Sequence, residues 1–205
     1  MTAAFPNLPL VSLLSAATAV AVLSVLLAYM DLAAESWANP LDRRVSRLLV
    51  LHRTKDETKA MHLFSQLGGP IGIPLAALLG TAGFLRQGQT QAAELFILTL
   101  GAAAAYVLLM KLITARKRPS LRVLEHERTF SFPSAHSLLS TFVYGSLVMF
   151  FYTGISPLPF ILVALLLLAI GTSRIYLGCH YLSDVIAGIL AGGVWTVIFI
   201  YLSRA

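Results

Sequence analysis

Along most of this chain, apolar runs of about 20 residues alternate with short polar connections. A run of that length spans the hydrocarbon core of a bilayer when helical, so each is read as a membrane span. Six are counted: Leu10 to Met30, His62 to Leu85, Ala92 to Ile113, Ser134 to Tyr152, Leu158 to Arg174 and Asp184 to Leu202. The second carries Gly68, Gly69, Pro70, Gly72 and Pro74, and is expected to kink or to pack tightly in its first half. Gly188 and Gly192, four apart in the sixth, predict a close packing face. Between the first two spans, Asn39-Pro40 reads as a helix start, a cap residue followed by proline. From there Leu41, Val45, Leu48, Leu49 and His52 recur at helical spacing, with Asp42, Arg43, Arg44, Arg47 and Arg53 on the other side. That pattern predicts an amphipathic helix over about 40–53, lying at the interface. The predicted fold class is therefore all-α: a polytopic membrane protein with six transmembrane helices and an interfacial helix after the first.

Composition narrows this further. At 58% hydrophobic, 12% charged and a mean hydropathy of +0.81, a soluble domain is excluded. The spans leave too little chain for a second core, so residues 1–205 form a single membrane domain. The net charge of +6 would suit a nucleic acid, but the cations flank the spans, where anionic lipid is the partner; nucleic acid is not expected, and no obligate protein partner is evident. A lone Cys179 excludes an internal disulfide. The first eight residues lack the basic start of a cleavable signal.

Span parity changes the picture more. With six spans, the first, third and fifth connections share one membrane side, and three polar clusters converge there: Lys111 with Arg118-Pro119, Pro133-Ser134-Ala135-His136, and Ser173-Arg174 with His180 and Asp184. Charges at such depth are costly without a role. Three cations, Lys111, Arg118 and Arg174, suit a phosphate, the arginine forks giving bidentate contacts. Ser134 and Ala135 stand at a helix start, where free backbone N–H groups favour an anion. His180 and Asp184, four apart, share one helix-turn face, so the carboxylate can hold one ring nitrogen protonated and aim the other. His180 is thus the candidate nucleophile, whose in-line attack would give a phosphohistidine. His136 could protonate the leaving oxygen and later activate water. Singly, each residue has a plainer reading: Lys111 a snorkelling lysine, Arg118 a loop cation, Arg174 an interface anchor, Ser134 a helix cap, His136 a polar residue between helices, His180 with Asp184 a metal half-site or structural pair. A metal is disfavoured, since carboxylates are few and three cations would repel it. Glu125 and Glu127 are read as rim residues, and Arg116 as solvated or facing headgroups.

These motifs, in this order and spacing, resemble those of the type 2 phosphatidic acid phosphatase superfamily, the lipid phosphate phosphatases related to vanadium haloperoxidases. The match runs from Lys111 to Asp184, and the spans with their interfacial helix resemble the family's small bacterial members. The resemblance implies metal- and cofactor-independent removal of phosphate from a lipid phosphate or pyrophosphate. Phosphatidic acid, phosphatidylglycerol phosphate and undecaprenyl pyrophosphate are all open. Lys111, Arg118, Ser134, Ala135 and Arg174 would bind phosphate, with His136 as acid, His180 as nucleophile and Asp184 as its orienter. Ala135 departs from the family's usual glycine; it keeps the N–H donor but loses easy access to positive φ.

The resemblance also implies a bacterial plasma-membrane protein with its site on the extracytoplasmic face. The basic loops point the other way: 13 of the 15 Lys and Arg lie on the motif side, and without the three site cations the balance is still 10 to 2. The extracytoplasmic side is taken as the expectation, part of the excess being read as substrate attraction. Two further readings stay open: a phosphotransferase discharging the same intermediate to a hydroxyl, and a transporter or lipid-binding protein that only holds anions.

Overall fold

The computed structural model describes residues 38–204, and every regular element among them is helical. The first predicted span, Leu10 to Met30, lies outside the described residues. The elements are α1 (Pro40–Leu51), α2 (Lys55–Leu67), α3 (Gly72–Arg86), α4 (Thr90–Thr114), α5 (Ala135–Phe151), α6 (Leu158–Tyr176) and α7 (Leu182–Arg204).

α1 is the helix predicted over about 40–53, started by Asn39, whose side chain accepts from the Asp42 N–H at 2.8 Å, and by Pro40. Its leucines Leu41, Leu48 and Leu51 face outward, and the stripe turned into the protein is Asp42, Ser46 and Val50. Asp42, placed by periodicity on the solvated side, is in fact buried. Thr54 and Glu57 then form a reciprocal capping box that opens α2 at Lys55, seven residues ahead of the predicted span. The expected kink falls at Gly68 to Ile71, where α2 and α3 meet at 44°. Gly68 has no room for a side chain there: a Cβ would lie 2.7 Å from Ser140 Oγ.

Among the described residues, α4, α6 and α7 are each long and apolar enough to cross a membrane, and the bent α2–α3 pair is a fourth if its two halves form one span. α5 has 17 residues, about 25 Å of helix, and sits in the middle of the bundle against α3, α4, α6 and α7. Six spans are therefore not reached among the described residues. The packing face of α7 is where the glycines predicted it: a Cβ at Gly188 would lie 2.7 Å from the Ser134 carbonyl oxygen on α5. Away from the polar end, Phe84, Phe96, Phe142 and Phe199 fill the core completely buried, with ring centroids 5.4–6.2 Å apart in five pairs. The aromatic core and the glycine face hold α4, α5 and α7 together, and the residues of interest gather at the other end of these helices.

Candidate active site

α4 ends at Ala115, whose left-handed backbone (φ 46°) caps the helix and turns the chain back across its end. Lys111, in the last turn, is buried and donates to Thr129 Oγ1 at 2.9 Å. Arg118 follows in the loop. Its Nε donates to the Thr129 carbonyl at 2.7 Å and its Nη1 to the Cys179 carbonyl at 2.8 Å, and Nη1 lies 3.3 Å from His180 Nε2. The loop then runs through a cis Phe132–Pro133 bond to Ser134, the N-cap of α5, which accepts from the Ser137 N–H and is fully buried. Ala135 and His136 open α5.

On the opposite side, α6 continues past its predicted end to Tyr176, so Arg174 stands on the last helical turn, fully buried. Gly178 (φ 79°) makes the turn that follows; a Cβ there would lie 3.1 Å from the Val123 backbone. Through that turn the N–H groups of Cys179 and His180 both donate to the Arg174 carbonyl. Arg174 and His180 are thereby locked together by the backbone.

His180 is almost completely buried, with Nδ1 3.4 Å from Asp184 Oδ2 and 3.4 Å from Ser131 Oγ. Arginine can only donate, so the Arg118 contact requires a lone pair on Nε2 and places the ring proton on Nδ1, toward Asp184. Burial, with the Arg118 and Arg174 charges, lowers the imidazole to about 4 against the pull of Asp184, so the ring is neutral at pH 7. A neutral ring with Nε2 bare is the form a nucleophile needs. His136 lies within electrostatic reach of Arg174, His180, Lys111 and Arg118. It also lines a cavity of about 260 Å³ between the α2–α3 break, at Gly68 to Pro70, and the start of α5. The eight predicted residues thus come from four elements to one end of the bundle. Cys179 joins them through its backbone, the N–H on the Arg174 carbonyl and its own carbonyl on Arg118, while burial pushes its thiol up to about 11.

A sequence model of the PAP2 superfamily matches residues 93–205, more than half of the chain and all three motifs. The chain belongs to the PAP2 superfamily. It is similar to phosphatidylglycerophosphatase B of Bacillus subtilis, 30% identical over 179 residues, covering 82% of this chain and 88% of that protein. It also resembles decaprenylphosphoryl-5-phosphoribose phosphatase of Mycobacterium tuberculosis, 35% identical over 60% of this chain and 66% of that one. Among solved structures, the fold matches a PAP2-type phosphatidylglycerolphosphate phosphatase from Bacillus subtilis at a TM-score of 0.81, with 23% identity, over 91% of this chain and 95% of that one. It matches LpxE of Aquifex aeolicus at 0.63, with 20% identity, over 80% and 96%. This PAP2 protein is an integral membrane hydrolase, a lipid phosphate phosphatase.

Several residues of the PAP2 site escaped the sequence reading. Glu125 and Glu127, half-buried, do more than line the rim: Glu125 Oε2 pairs with Arg174 Nη1 at 2.7 Å and Glu127 Oε1 with Arg174 Nη2 at 2.5 Å. Glu125 also meets His62 Nδ1 at 2.8 Å, and Ser65 receives a further Arg174 N–H. Burial works to raise the Glu125 carboxyl, but the Arg174 hydrogen bond and charge, with His62, outweigh it and hold the group below its usual range. Arg174 thus presents its guanidinium fork to two carboxylates. Ser131 donates to Asp184 Oδ2 at 2.6 Å, beside the Tyr181 N–H at 2.8 Å. Arg116 is buried rather than solvated, its Nη1 2.5 Å from Asp184 Oδ1. Ser173, buried one residue before Arg174, donates to the Ile170 carbonyl within its own helix. No periodicity marks the loop residues, so only the fold could place them.

Proposed function

We propose that this enzyme hydrolyses the terminal phosphate of a membrane lipid phosphate through a phosphohistidine on His180, with phosphatidylglycerol phosphate or a polyprenyl phosphate or pyrophosphate as substrate class. The observation carrying this reading is His180 itself: neutral, buried, with Nε2 aimed at Arg118 and Nδ1 turned to Asp184. Anion binding alone would need no such base. The names of the relatives, a phosphatidylglycerophosphatase and a decaprenylphosphoryl phosphatase, support a lipid-borne phosphate. The apolar cavity beside His136 supports a chain approaching sideways from the bilayer.

In this reading Lys111, Arg118 and Arg174 take the phosphate with the backbone N–H of Ala135, whereas the Ser134 N–H, expected from the sequence to be free, donates to the Asp184 carbonyl at 3.0 Å; the phosphate displaces Glu125 and Glu127 from Arg174. Nε2 of His180 attacks phosphorus while the bond to the lipid oxygen breaks, and His136 gives that oxygen its proton. The cations neutralise charge on the equatorial oxygens, where most phosphoryl-transfer catalysis resides. Asp184 holds the Nδ1 proton and balances the charge on the ring. His136 then takes a proton from water, the oxygen attacks phosphorus, the P–N bond breaks, and phosphate leaves. Six spans, counting Leu10 to Met30 and α5, would put this chemistry on the side opposite both termini, and the family resemblance takes that side as the extracytoplasmic face of the plasma membrane, with the C-terminus in the cytoplasm.

The test is phosphate release from a panel of glycerolipid monophosphates and prenyl pyrophosphates, in EDTA, by wild-type enzyme and His180→Ala. Turnover on a lipid phosphate by the wild type, and none by a folded His180→Ala, is expected. Unchanged activity in that variant would overturn the mechanism. A transfer product formed when an acceptor alcohol is supplied would reassign the enzyme as a phosphotransferase.

A further inference from the structure

Beneath the site lies a buried charge cluster of which the reaction described above uses Asp184 alone. Arg116, Asp42 and Asp184 are 3%, 1% and 0% exposed. Burying three charges together is unfavourable unless nearly every lone pair and N–H is matched, and here they are. Arg116 Nη1 donates to Asp184 Oδ1 at 2.5 Å and to Ser183 Oγ at 2.9 Å, and Nη2 donates to Asp42 Oδ2 at 3.0 Å. Asp42 receives Ser183 twice, the N–H on Oδ1 at 2.9 Å and the Oγ–H on Oδ2 at 2.7 Å. The guanidinium also lies 4.9 Å from the centre of the Tyr181 ring and 5.9 Å from that of Phe132. The cluster joins α1, the loop after α4 and the first turn of α7.

We infer that Arg116 is a positioning residue for His180, and that Asp42 of α1 holds Arg116 and Ser183 in place. The geometry divides the Asp184 carboxylate in two. Oδ1 is tied to Arg116, so Oδ2 is turned toward Ser131, the Tyr181 N–H and His180. A carboxylate anchored at one oxygen cannot rotate away from the imidazole, and the ring keeps its proton on Nδ1. Asp42 makes a second contribution through charge. Asp184 and Arg116 alone are neutral, and Asp42 restores a net negative charge beneath His180, which favours the cationic ring formed during attack. α1 thereby becomes part of the catalytic support rather than a cover on the bundle's mouth. This inference rests on His180 being the nucleophile.

The experiment compares Arg116→Lys, Arg116→Gln and Asp42→Asn in the full-length enzyme, measuring kcat, KM and the titration of His180 by imidazole nitrogen NMR. Around His180 the other charged or titratable groups are Asp184 from α7, Arg118 from the loop, Arg174 from α6 and His136 from α5, and all are unchanged in these variants. Arg116→Lys keeps the charge but loses the fork; kcat should fall about 10- to 100-fold, as for outer-shell partners elsewhere, with KM little changed. Arg116→Gln and Asp42→Asn should move the His180 titration in opposite directions, up and down respectively, which loss of packing alone would not do. Asp42→Asn keeps the shape of the side chain and serves if the arginine variants do not fold. Wild-type kcat in Arg116→Lys and Asp42→Asn, or titration shifts of the same sign, would overturn the inference. If His180→Ala remains active, the nucleophile assignment fails instead, and the two failures are told apart.

Discussion

Replacing Asp184 by asparagine leaves the volume of the site unchanged and reverses one hydrogen-bond role. The carboxylate accepts from Arg116 on Oδ1 and from Ser131 and the Tyr181 N–H on Oδ2, all by contacts of 2.5–2.8 Å. An asparagine has one oxygen to offer. Arg116 cannot accept, so the amide oxygen must stay on its side, and the NH₂ is forced against the Tyr181 N–H and toward His180 Nδ1. The ring must then accept on Nδ1 and carry its proton on Nε2, the atom that should attack phosphorus. In a serine protease triad the equivalent exchange of tautomer lowers kcat about 10⁴-fold, which is about 5.5 kcal/mol in the barrier. A loss of that order in kcat is expected here, with KM within a few-fold, because the phosphate-binding cations are untouched. Arg116 keeps Asp42 as a partner, so the protein should remain folded. Steady-state kinetics on a soluble short-chain lipid phosphate, with imidazole nitrogen NMR for the tautomer, measures both effects. A rate within tenfold of wild type, or a ring still protonated at Nδ1, would refute the reasoning.

Two other outcomes follow from the same structure. His180 sits near 4 in the fold against an ordinary value of 6.5 because burial disfavours its charged form; its contribution to stability is complete above pH 6.5 and is lost as pH falls toward 4, because the unfolded chain binds the extra proton first. Thermal unfolding in detergent should therefore show a falling midpoint across that window, and a smaller fall in His180→Gln. Gly188→Ala places a methyl group 2.7 Å from the Ser134 carbonyl and 2.9 Å from the Ser137 Cβ; separating α5 from α7 should cost about 1–3 kcal/mol of stability, read as a lower unfolding temperature, whereas Gly193→Ala, with open space around it, should be neutral.

How much the sequence revealed depends on the kind of signal. The helices of the bundle, the break at Gly68 to Ile71, the glycine face of α7 and the start of α1 were legible because apolar periodicity, proline and small residues act locally. The three motifs were legible because each is compact and its residue types are costly in an apolar chain. Asp42 and Arg116 were not: 74 residues separate them, each looks like an ordinary interfacial charge, and only the fold turns the Asp42 face of α1 inward. Glu125 and Glu127 belong to a loop without periodicity, whose path is set by backbone bonds such as Leu124 N–H to the Leu177 carbonyl and Ser131 N–H to the Arg116 carbonyl. Helix ends shifted for a related reason. Arg174 can lie inside α6 and Lys55 can open α2 because a capping box or a partner for a buried cation is decided by neighbours, not by hydropathy.

The central claim is that phosphorus is carried on Nε2 of His180. Mixing the enzyme with a ³²P-labelled lipid phosphate, quenching in alkali within milliseconds and mapping the labelled peptide tests it directly. The account predicts an alkali-stable, acid-labile label on the peptide containing His180, formed and discharged at rates compatible with turnover and missing from His180→Ala. Turnover with no labelled protein at any time, or label on another residue, would contradict it.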